Sequence, residues 1–441
     1  MKDASNRGRP NKQDTWPVEK LRKNQWGKLK QVLRYAYGNL PFYRRRFDGA
    51  GLHPDSVRSF ADFSRIPTFT KRDVIEEMGG KGSFDFGMEK YNRKDQAVLC
   101  MTSGTLGTSF LYLPQRWTAM RGDSLVRAYW WAGLRPGMRM LMAAPAWHSL
   151  AVQETRVVRR LGVECVVPWG TFLPRYSANF LDTIKDTRPD FISMFLPMLY
   201  ALLAECRRRR LNPRAAFKGV KNLLLVGAPM TPRSRESLKA ELGVRDVFEG
   251  LGNPEGLTAM ECSRHRGHHL FMDCCHVEIV DPKSGKPLPP GNRGTVVLTS
   301  LIPHGTLYLR YDSEDLGEIL PESCACGSTW PLMKVYDRSV NLVKVAGKEI
   351  LPYDVRLCLD EVPELAGIPF AVVRAERGAD VLRLVLQKPN HGDIRHLEDR
   401  LAAVTRERLR MDVKEEWTEE LPERWKGVTV IEEKDWGAPR V

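Results

Sequence analysis

Between about Met138 and Leu301 the chain alternates short apolar runs with stretches of helix length. MRMLMAAP, VECVVP, FISMF and NLLLVGAP come first, and VEIV and TVVLTSL follow. Runs of this size separated by helix-sized spacers predict βαβ units and a parallel sheet, because parallel neighbours need a long crossover that a helix supplies. Pro287, Pro289, Pro290 and Gly291 then break the pattern between the last two runs, and the sequence turns to β-rich segments. No internal repeat of solenoid period accompanies the alternation.

The flanks read differently. The first sixteen residues are largely polar and basic and predict a frayed tail. From Val18 to Tyr37 apolar residues recur at helical spacing among lysines and arginines, which predicts an amphipathic surface helix with a solvated basic face. Near the C-terminus, KEILPYDVRLCLDEV predicts a helix after Pro352, and AVVRAERGADVLRLVL a hairpin turning at Glu376 to Asp380. HLEDRLAAVTRERLRM predicts a second amphipathic helix. Together these last segments make a small α+β unit, joined through a hinge near Arg338 to Asn341.

With 441 residues the chain has room for at least two domains, which excludes a peptide hormone or an isolated recognition module. Its 68 Lys+Arg against 54 Asp+Glu give a formal charge of +14 and favour anionic partners. Nine cysteines at irregular spacing do not form a secreted disulfide framework. The basic, run-free start is not a signal peptide, and no stretch approaches the roughly 18 apolar residues of a membrane span. The expectation is a cytoplasmic protein without membrane or nucleic-acid partners. Arg207 to Arg210 closes the helix-like LPMLYALLAEC and reads as a solvated cap favoured by the helix dipole.

One loop stands out for its chemistry: Met101-Thr102-Ser103-Gly104-Thr105-Leu106-Gly107-Thr108-Ser109. Its glycines allow close backbone approach, and its hydroxyls and main-chain N–H groups suit phosphate oxygens, although a plain surface turn has the same composition. Downstream come Gly227-Ala228-Pro229-Met230, Leu251-Gly252-Asn253-Pro254-Glu255, Arg310-Tyr311-Asp312-Ser313-Glu314-Asp315 and Asp337-Arg338, with a lysine at Lys426. In this order and spacing they resemble the adenylate-forming superfamily, and within it the phenylacetate-CoA ligase family. NLPFYRRRFDGAGLHPDSVRSFADFSRIPTFTKRDV, HVEIVDPKSGKPLPPGNRGTVVLTSL and DRSVNLVKVAGKEILP extend the resemblance over nearly the whole chain.

The resemblance implies an α/β fold: a large N-terminal adenylate-forming domain, residues 17–338, with parallel and mixed sheets, helices and a β-rich part, and a small mobile α+β C-terminal domain, residues 339–441. Residues 1–16 form the tail. It also implies roles. Thr102, Ser103, Gly104, Thr105, Gly107 and Thr108 would hold the ATP phosphates, with Gly227, Ala228 and Pro229 as part of the adenine and acyl pocket wall. Gly252 and Asn253 belong to the nucleotide site beside Glu255, which would hold Mg²⁺. Asp315 would accept from the ribose hydroxyls, Arg338 would lie beside ribose and phosphate, and Lys426 would act in catalysis. Thr108 stands where family loops usually carry lysine, and Leu251 and Pro254 replace an aromatic residue and a threonine.

Cys262, His269, Cys324 and Cys326 form a second constellation. Two donor pairs of this spacing are able to close a tetrahedron, though free cysteines are also common as small buried hydrophobes. His265, His268, Cys274 and Cys275 compete as donors. The resemblance places the nitrogen ligand at His269 and implies structural zinc.

The expected activity is ATP-dependent activation of a carboxylic acid, aromatic by resemblance, to an acyl adenylate, followed by transfer to coenzyme A. ATP, Mg²⁺, coenzyme A and Zn²⁺ are the expected cofactors and co-substrates. An amine or other acceptor in place of coenzyme A, or a non-catalytic scaffold of this fold, are the alternatives. The identity of the acid and the oligomeric state are not legible in the sequence.

Overall fold

In the computed structural model, three of the predicted apolar runs lie side by side. Arg139–Met142, Phe191–Phe195 and Asn222–Val226 pair in parallel, with Met140 opposite Phe191 and Phe191 opposite Asn222. The structure describes residues 12–77, 100–101, 111–112, 121–144, 148–168, 177–253, 258–302, 306–375, 379–389, 392–419, 421 and 430–436. The chain packs as two units, one of residues 1–138, 144–165 and 250–335, the other of residues 139–143, 166–249 and 336–441.

The second unit contains the parallel strands. Helices Ser177–Thr187, Leu196–Arg208 and Pro232–Leu242 follow in turn, the last two with proline in their first turn, where its missing N–H costs nothing. Their apolar faces bury Leu181, Ile184, Leu199, Leu203 and Leu238 against Ile192, Leu223 and Leu225. Arg208 and Arg209 both bind Glu205, so the basic end of the long helix is a paired cap as well as a dipole match.

The same unit holds the C-terminal segments, and the sequence-derived boundary at 338/339 falls inside it. Phe370–Arg374 and Leu382–Gln387 form the expected antiparallel hairpin. Val413–Thr418 and Val430–Glu432 flank it in parallel, completing four strands. Helices Pro352–Leu359 and Ile394–Leu409 enclose a core of Val355, Leu359, Val372, Leu384 and Leu401. The Val343–Val345 and Lys348–Ile350 strands turn through Ala346 and Gly347, both at positive φ, the conformation of a tight two-residue hairpin.

In the first unit, helices Val18–Asn39 and Pro41–Gly49 lie over an antiparallel ladder of Cys275–Val280, Gly294–Ser300 and Tyr311–Ile319. Leu29, Val32, Leu33, Phe42 and Phe47 interlock with Phe69, Val296, Leu298 and Tyr308. The Tyr43 hydroxyl donates to the Leu307 carbonyl at 2.5 Å. Residues 12–16, expected in the tail, are held in place. Lys12–Thr15 form a 3-10 turn, and Asp14 is buried because its carboxylate accepts from the Trp330 indole at 2.9 Å and faces Arg127 at 3.6 Å.

Arg310 ties this unit together from inside. Only 2% exposed, its Nε donates to Glu278 at 3.0 Å and its Nη1 to the carbonyls of Ser64 and Ile66. Removing one partner of a buried pair leaves the other charge without compensation, at a cost of about 3–5 kcal/mol. Arg310→Met is therefore expected to lower stability by about that amount, and Arg310→Met/Glu278→Met to recover much of it. Urea denaturation of the two variants, read by circular dichroism, checks this; equal losses would separate the anchoring role from the charge pair.

Candidate nucleotide strand and cysteine–histidine centre

The strand Tyr311–Ile319 carries the acidic run. Asp312 accepts the Glu314 N–H at 2.8 Å, which holds Glu314 in the left-handed region at φ 60. Ser313 does the same for its neighbour: its hydroxyl donates to the Val296 carbonyl at 3.0 Å and accepts the Asp315 N–H at 3.4 Å. Two side chains thus set the backbone that presents half-buried Asp315. Burial pushes the Asp312 carboxyl up to about 6, with Glu314 and Asp315 adding like-charge repulsion.

Gly227 to Met230 follow directly on the Asn222–Val226 strand, at the carboxyl end of the parallel strands where α/β sheets offer their binding crevice. Gly227 is required there: φ is +96, and a Cβ would stand 2.9 Å from the Phe195 ring. Gly227 is exposed, and Ala228 and Pro229 are half-buried. The Met230 N–H donates to Glu249 at 2.9 Å, fixing the loop. Gly252 ends the strand Asp246–Gly252, and Asn253 follows it. Arg338 precedes a 3-10 turn, Ser339–Asn341; Asp337 accepts from the Arg338 N–H at 2.7 Å and from Asn341 at 2.6 Å. Thr102, Ser103, Gly104, Thr105, Gly107, Thr108, Glu255 and Lys426 lie outside the described residues. His148 serves a local end, its Nδ1 accepting the Leu150 N–H at the start of helix Ser149–Leu161.

Cys262, His269, Cys324 and Cys326 come together, with their donor atoms all within 4.8 Å of one another. Cys262 leaves the Thr258–Glu261 strand, and a turn through Gly267 returns the chain to His268–Leu270. That strand pairs with Leu332–Arg338, Leu332 opposite His269, which brings the Cys324 to Cys326 turn alongside. Cys262 Sγ lies 3.6 Å from Cys324 Sγ, and Cys326 Sγ lies 3.4 Å from His269 Nε2. Sulfur and nitrogen ligands at about 2.3 and 2.0 Å on tetrahedral zinc would stand about 3.8 Å (S···S) and 3.5 Å (S···N) apart, so the set fits that ion.

The surroundings match as well. His269 Nδ1 donates to the Trp330 carbonyl at 3.1 Å, which leaves Nε2 as the lone-pair nitrogen facing the thiols. Burial holds this imidazole down to about 4, hence neutral at physiological pH, and pushes the Cys262 thiol up to about 12. The N–H groups of Arg264 and Ser328 donate to Cys262 and Cys326 at 3.4 Å each. Of the competing donors, His265 binds Glu261 at 3.1 Å, Cys274 faces Asp273 and Cys275 the Phe271 carbonyl. His268 is buried and stands outside the four. The sequence did not signal the contribution of the Trp330 carbonyl, because a backbone acceptor leaves no trace in side-chain identity.

Residues 66–301 match the AMP-binding enzyme family. In structure the chain is similar to a 2-hydroxyisobutyryl-CoA ligase in the postadenylation state, with a TM-score of 0.84 and 22% identity over 96% of this chain and 91% of that one. The fold is the adenylate-forming fold, and the chain is an AMP-binding enzyme. Among curated proteins it is 30% identical to the phenylacetate-coenzyme A ligase of Thermus thermophilus over 85% of this chain and 83% of the relative, and 27% identical to that of Escherichia coli over 77% and 76%. It belongs to the phenylacetate-coenzyme A ligase family. Among the described residues no helix is long and apolar enough to cross a membrane.

The raised Asp312 carboxyl makes a pH prediction. Its folded value of about 6 lies above the ordinary 3.8, so folding favours the protonated form. That contribution is intact below pH about 4 and is lost as pH rises through about 6, a swing of about 2–3 kcal/mol. Asp312→Asn, which keeps an oxygen for the Glu314 N–H, is expected to gain stability over the parent as pH rises from about 5 to about 8. Melting temperatures at the two pH values measure it, and a gap that narrows with pH overturns the assignment.

Proposed function

We propose that the chain is an AMP-forming ligase that activates a carboxylic acid with ATP and passes the acyl group to coenzyme A. The observation that carries this reading is kinship with phenylacetate-coenzyme A ligases along most of the chain, not through one motif. A carboxylate is a poor electrophile. Its oxygen attacks the α-phosphorus of ATP and expels pyrophosphate; the thiol sulfur then attacks the acyl carbon, and AMP departs with the electron pair. Protein groups orient the reactants and stabilise developing charge rather than bonding to them.

In this reading Asp315 accepts from the vicinal ribose hydroxyls, a role suited to an ionised carboxylate whose backbone is already held by Asp312 and Ser313. Arg338 supplies cationic charge near ribose and phosphate. Gly227, Ala228 and Pro229 form part of the pocket wall, with Gly252 and Asn253 beside the nucleotide. Thr102 to Thr108 cradle phosphate, and Glu255 holds Mg²⁺. Residues 339–441 act as a small mobile domain, supported by their own apolar core, and bring Lys426 to the reacting phosphate. An aromatic acid is the favoured substrate class, and the cytoplasm the compartment.

Cys262, His269, Cys324 and Cys326 would hold structural zinc, a closed set of four protein donors with no position left for substrate. There the ion would cross-link the end of the Thr258–Glu261 strand, the His268–Leu270 strand and the Cys324 to Cys326 turn. Purified protein is expected to contain about one Zn²⁺ per chain, and Cys326→Ser to lose both metal and thermal stability. Elemental analysis beside a melting curve decides it; metal-free protein with undiminished stability removes the zinc.

Incubation with ATP, Mg²⁺, coenzyme A and a panel of aromatic acids, followed by mass spectrometry, tests the activity. Pyrophosphate together with an acyl-CoA is expected. Adenylate without thioester moves the acceptor to an amine, and no pyrophosphate with any acid favours the scaffold. Asp315→Ala is expected to weaken ATP binding at least roughly tenfold. Lys426→Ala should slow adenylate formation by roughly two to three orders of magnitude while sparing thioester formation from a supplied adenylate.

A further inference from the structure

Within the second unit, two remote stretches of chain meet through a buried polar contact. Thr231 caps helix Pro232–Leu242, its hydroxyl accepting the Ser234 N–H at 3.1 Å. The same hydroxyl donates to the carboxylate of Asp360, and the Ser234 hydroxyl stands 2.9 and 3.1 Å from the two oxygens of that carboxylate. Asp360 closes helix Pro352–Leu359, and Arg356 of that helix lies 3.8 Å from it. All three partners are buried, Thr231 at 1%, Ser234 at 3% and Asp360 at 4% exposure. Alongside, Gly367 lies in ordinary contact distance of the same helix, where a Cβ would stand 3.5 Å from that of Ser237.

The chemistry of this contact differs from that of the cores on either side. An apolar seam exposes hydrophobic surface when it parts, at roughly 25 cal/mol per Å². A carboxylate and two hydroxyls regain hydrogen bonds from water when they separate, so the net value of each bond is small while its geometry is specific. Next to the contact runs an open groove of about 440 Å³, edged by Tyr200, Leu203, Glu241, Pro363 and Ile368, where the two stretches are not closely packed. Thr231 also lies two residues beyond Pro229, so whatever grips it grips the end of the Gly227 to Met230 loop.

We infer that Thr231, Ser234 and Asp360 form a polar latch that docks the C-terminal segment on helix Pro232–Leu242 for acid activation and releases it for the thiol step. The inference rests on the two-step reading above. Asp360 and Ser234 are positioning residues in this reading, acting through the Gly227 to Met230 loop and the docked segment.

Asp360→Asn and Ser234→Ala test it, the second leaving the Thr231 cap in place. Hydrogen exchange by mass spectrometry reads the contact without reference to activity. Loss of one hydrogen bond to a charged group is expected to speed exchange roughly tenfold in peptides covering 231–243 and 352–368 together, with the Asn222–Val226 strand unchanged. Adenylate formation, read as pyrophosphate release, is expected to fall roughly tenfold, while thioester formation from supplied adenylate holds or rises. Unchanged exchange overturns the latch, and so does an equal fall in both half-reactions accompanied by a lower melting temperature, which marks a merely structural contact. If the parent protein makes no adenylate, the two-step reading fails on its own, and the exchange result still separates a docking contact from fixed core.

Discussion

The buried Arg310–Glu278 pair is the constraint on which the Tyr311–Ile319 strand depends. Arg310 immediately precedes Tyr311, the first residue of the strand that carries Asp315. Its side chain is fixed to Glu278 and to the Ser64 and Ile66 carbonyls, its N–H to Thr299, and its backbone stands at φ 53. A strand slipped by one residue turns every side chain to the opposite face. Anchoring the strand at its first residue by a charged contact that tolerates no slip therefore fixes its register as far as Asp312, and the irregularity beyond, with Glu314 at positive φ, sets how Asp315 is presented. Burial pushes the Glu278 carboxyl up and Arg310 opposes that rise, so the pair is held by geometry more than by net electrostatic gain.

Much of the fold was legible because the strongest signals were local and periodic. Helix Val18–Asn39, the hairpin of Phe370–Arg374 and Leu382–Gln387, and helix Ile394–Leu409 all follow from apolar spacing. The boundary of the N-terminal tail was not. Asp14 and Trp16 lie in a polar stretch without periodicity, and what orders them is a set of long-range partners: the Trp330 indole, the Arg127 guanidinium and Thr329. Such contacts depend on chain segments far away in the sequence, and composition does not encode them.

The candidate sites divide along the same line. Cysteine and histidine donors are rare enough that their spacing points to a cluster with several competing donors, the family resemblance singles out His269 among them, and strand pairing explains that choice. His268 and His269 are neighbours on one strand and so face opposite sides of the ladder. What the sequence withheld is the support: the Trp330 carbonyl that orients His269, and the Asp312 and Ser313 side chains that hold the backbone of Asp315. Asp312 reads in sequence as one more acid in an acidic run. Its burial and its bond to the Glu314 N–H make it a brace instead.

Polar groups buried in this chain thus serve two opposite ends, and the difference lies in what surrounds them. Arg310 is 2% exposed and its guanidinium is bound to Glu278 and to the Ser64 and Ile66 carbonyls, a set of bonds that opens only when buried chain parts. Asp360 meets two hydroxyls beside an open groove, and each partner is readily solvated once they part. The first arrangement is costly to open and fixes register; the second is cheap to open and fixes orientation only while closed. The two kinds of contact accordingly sit in different parts of the chain, one anchoring the start of the Tyr311–Ile319 strand and the other joining helix Pro232–Leu242 to the end of helix Pro352–Leu359.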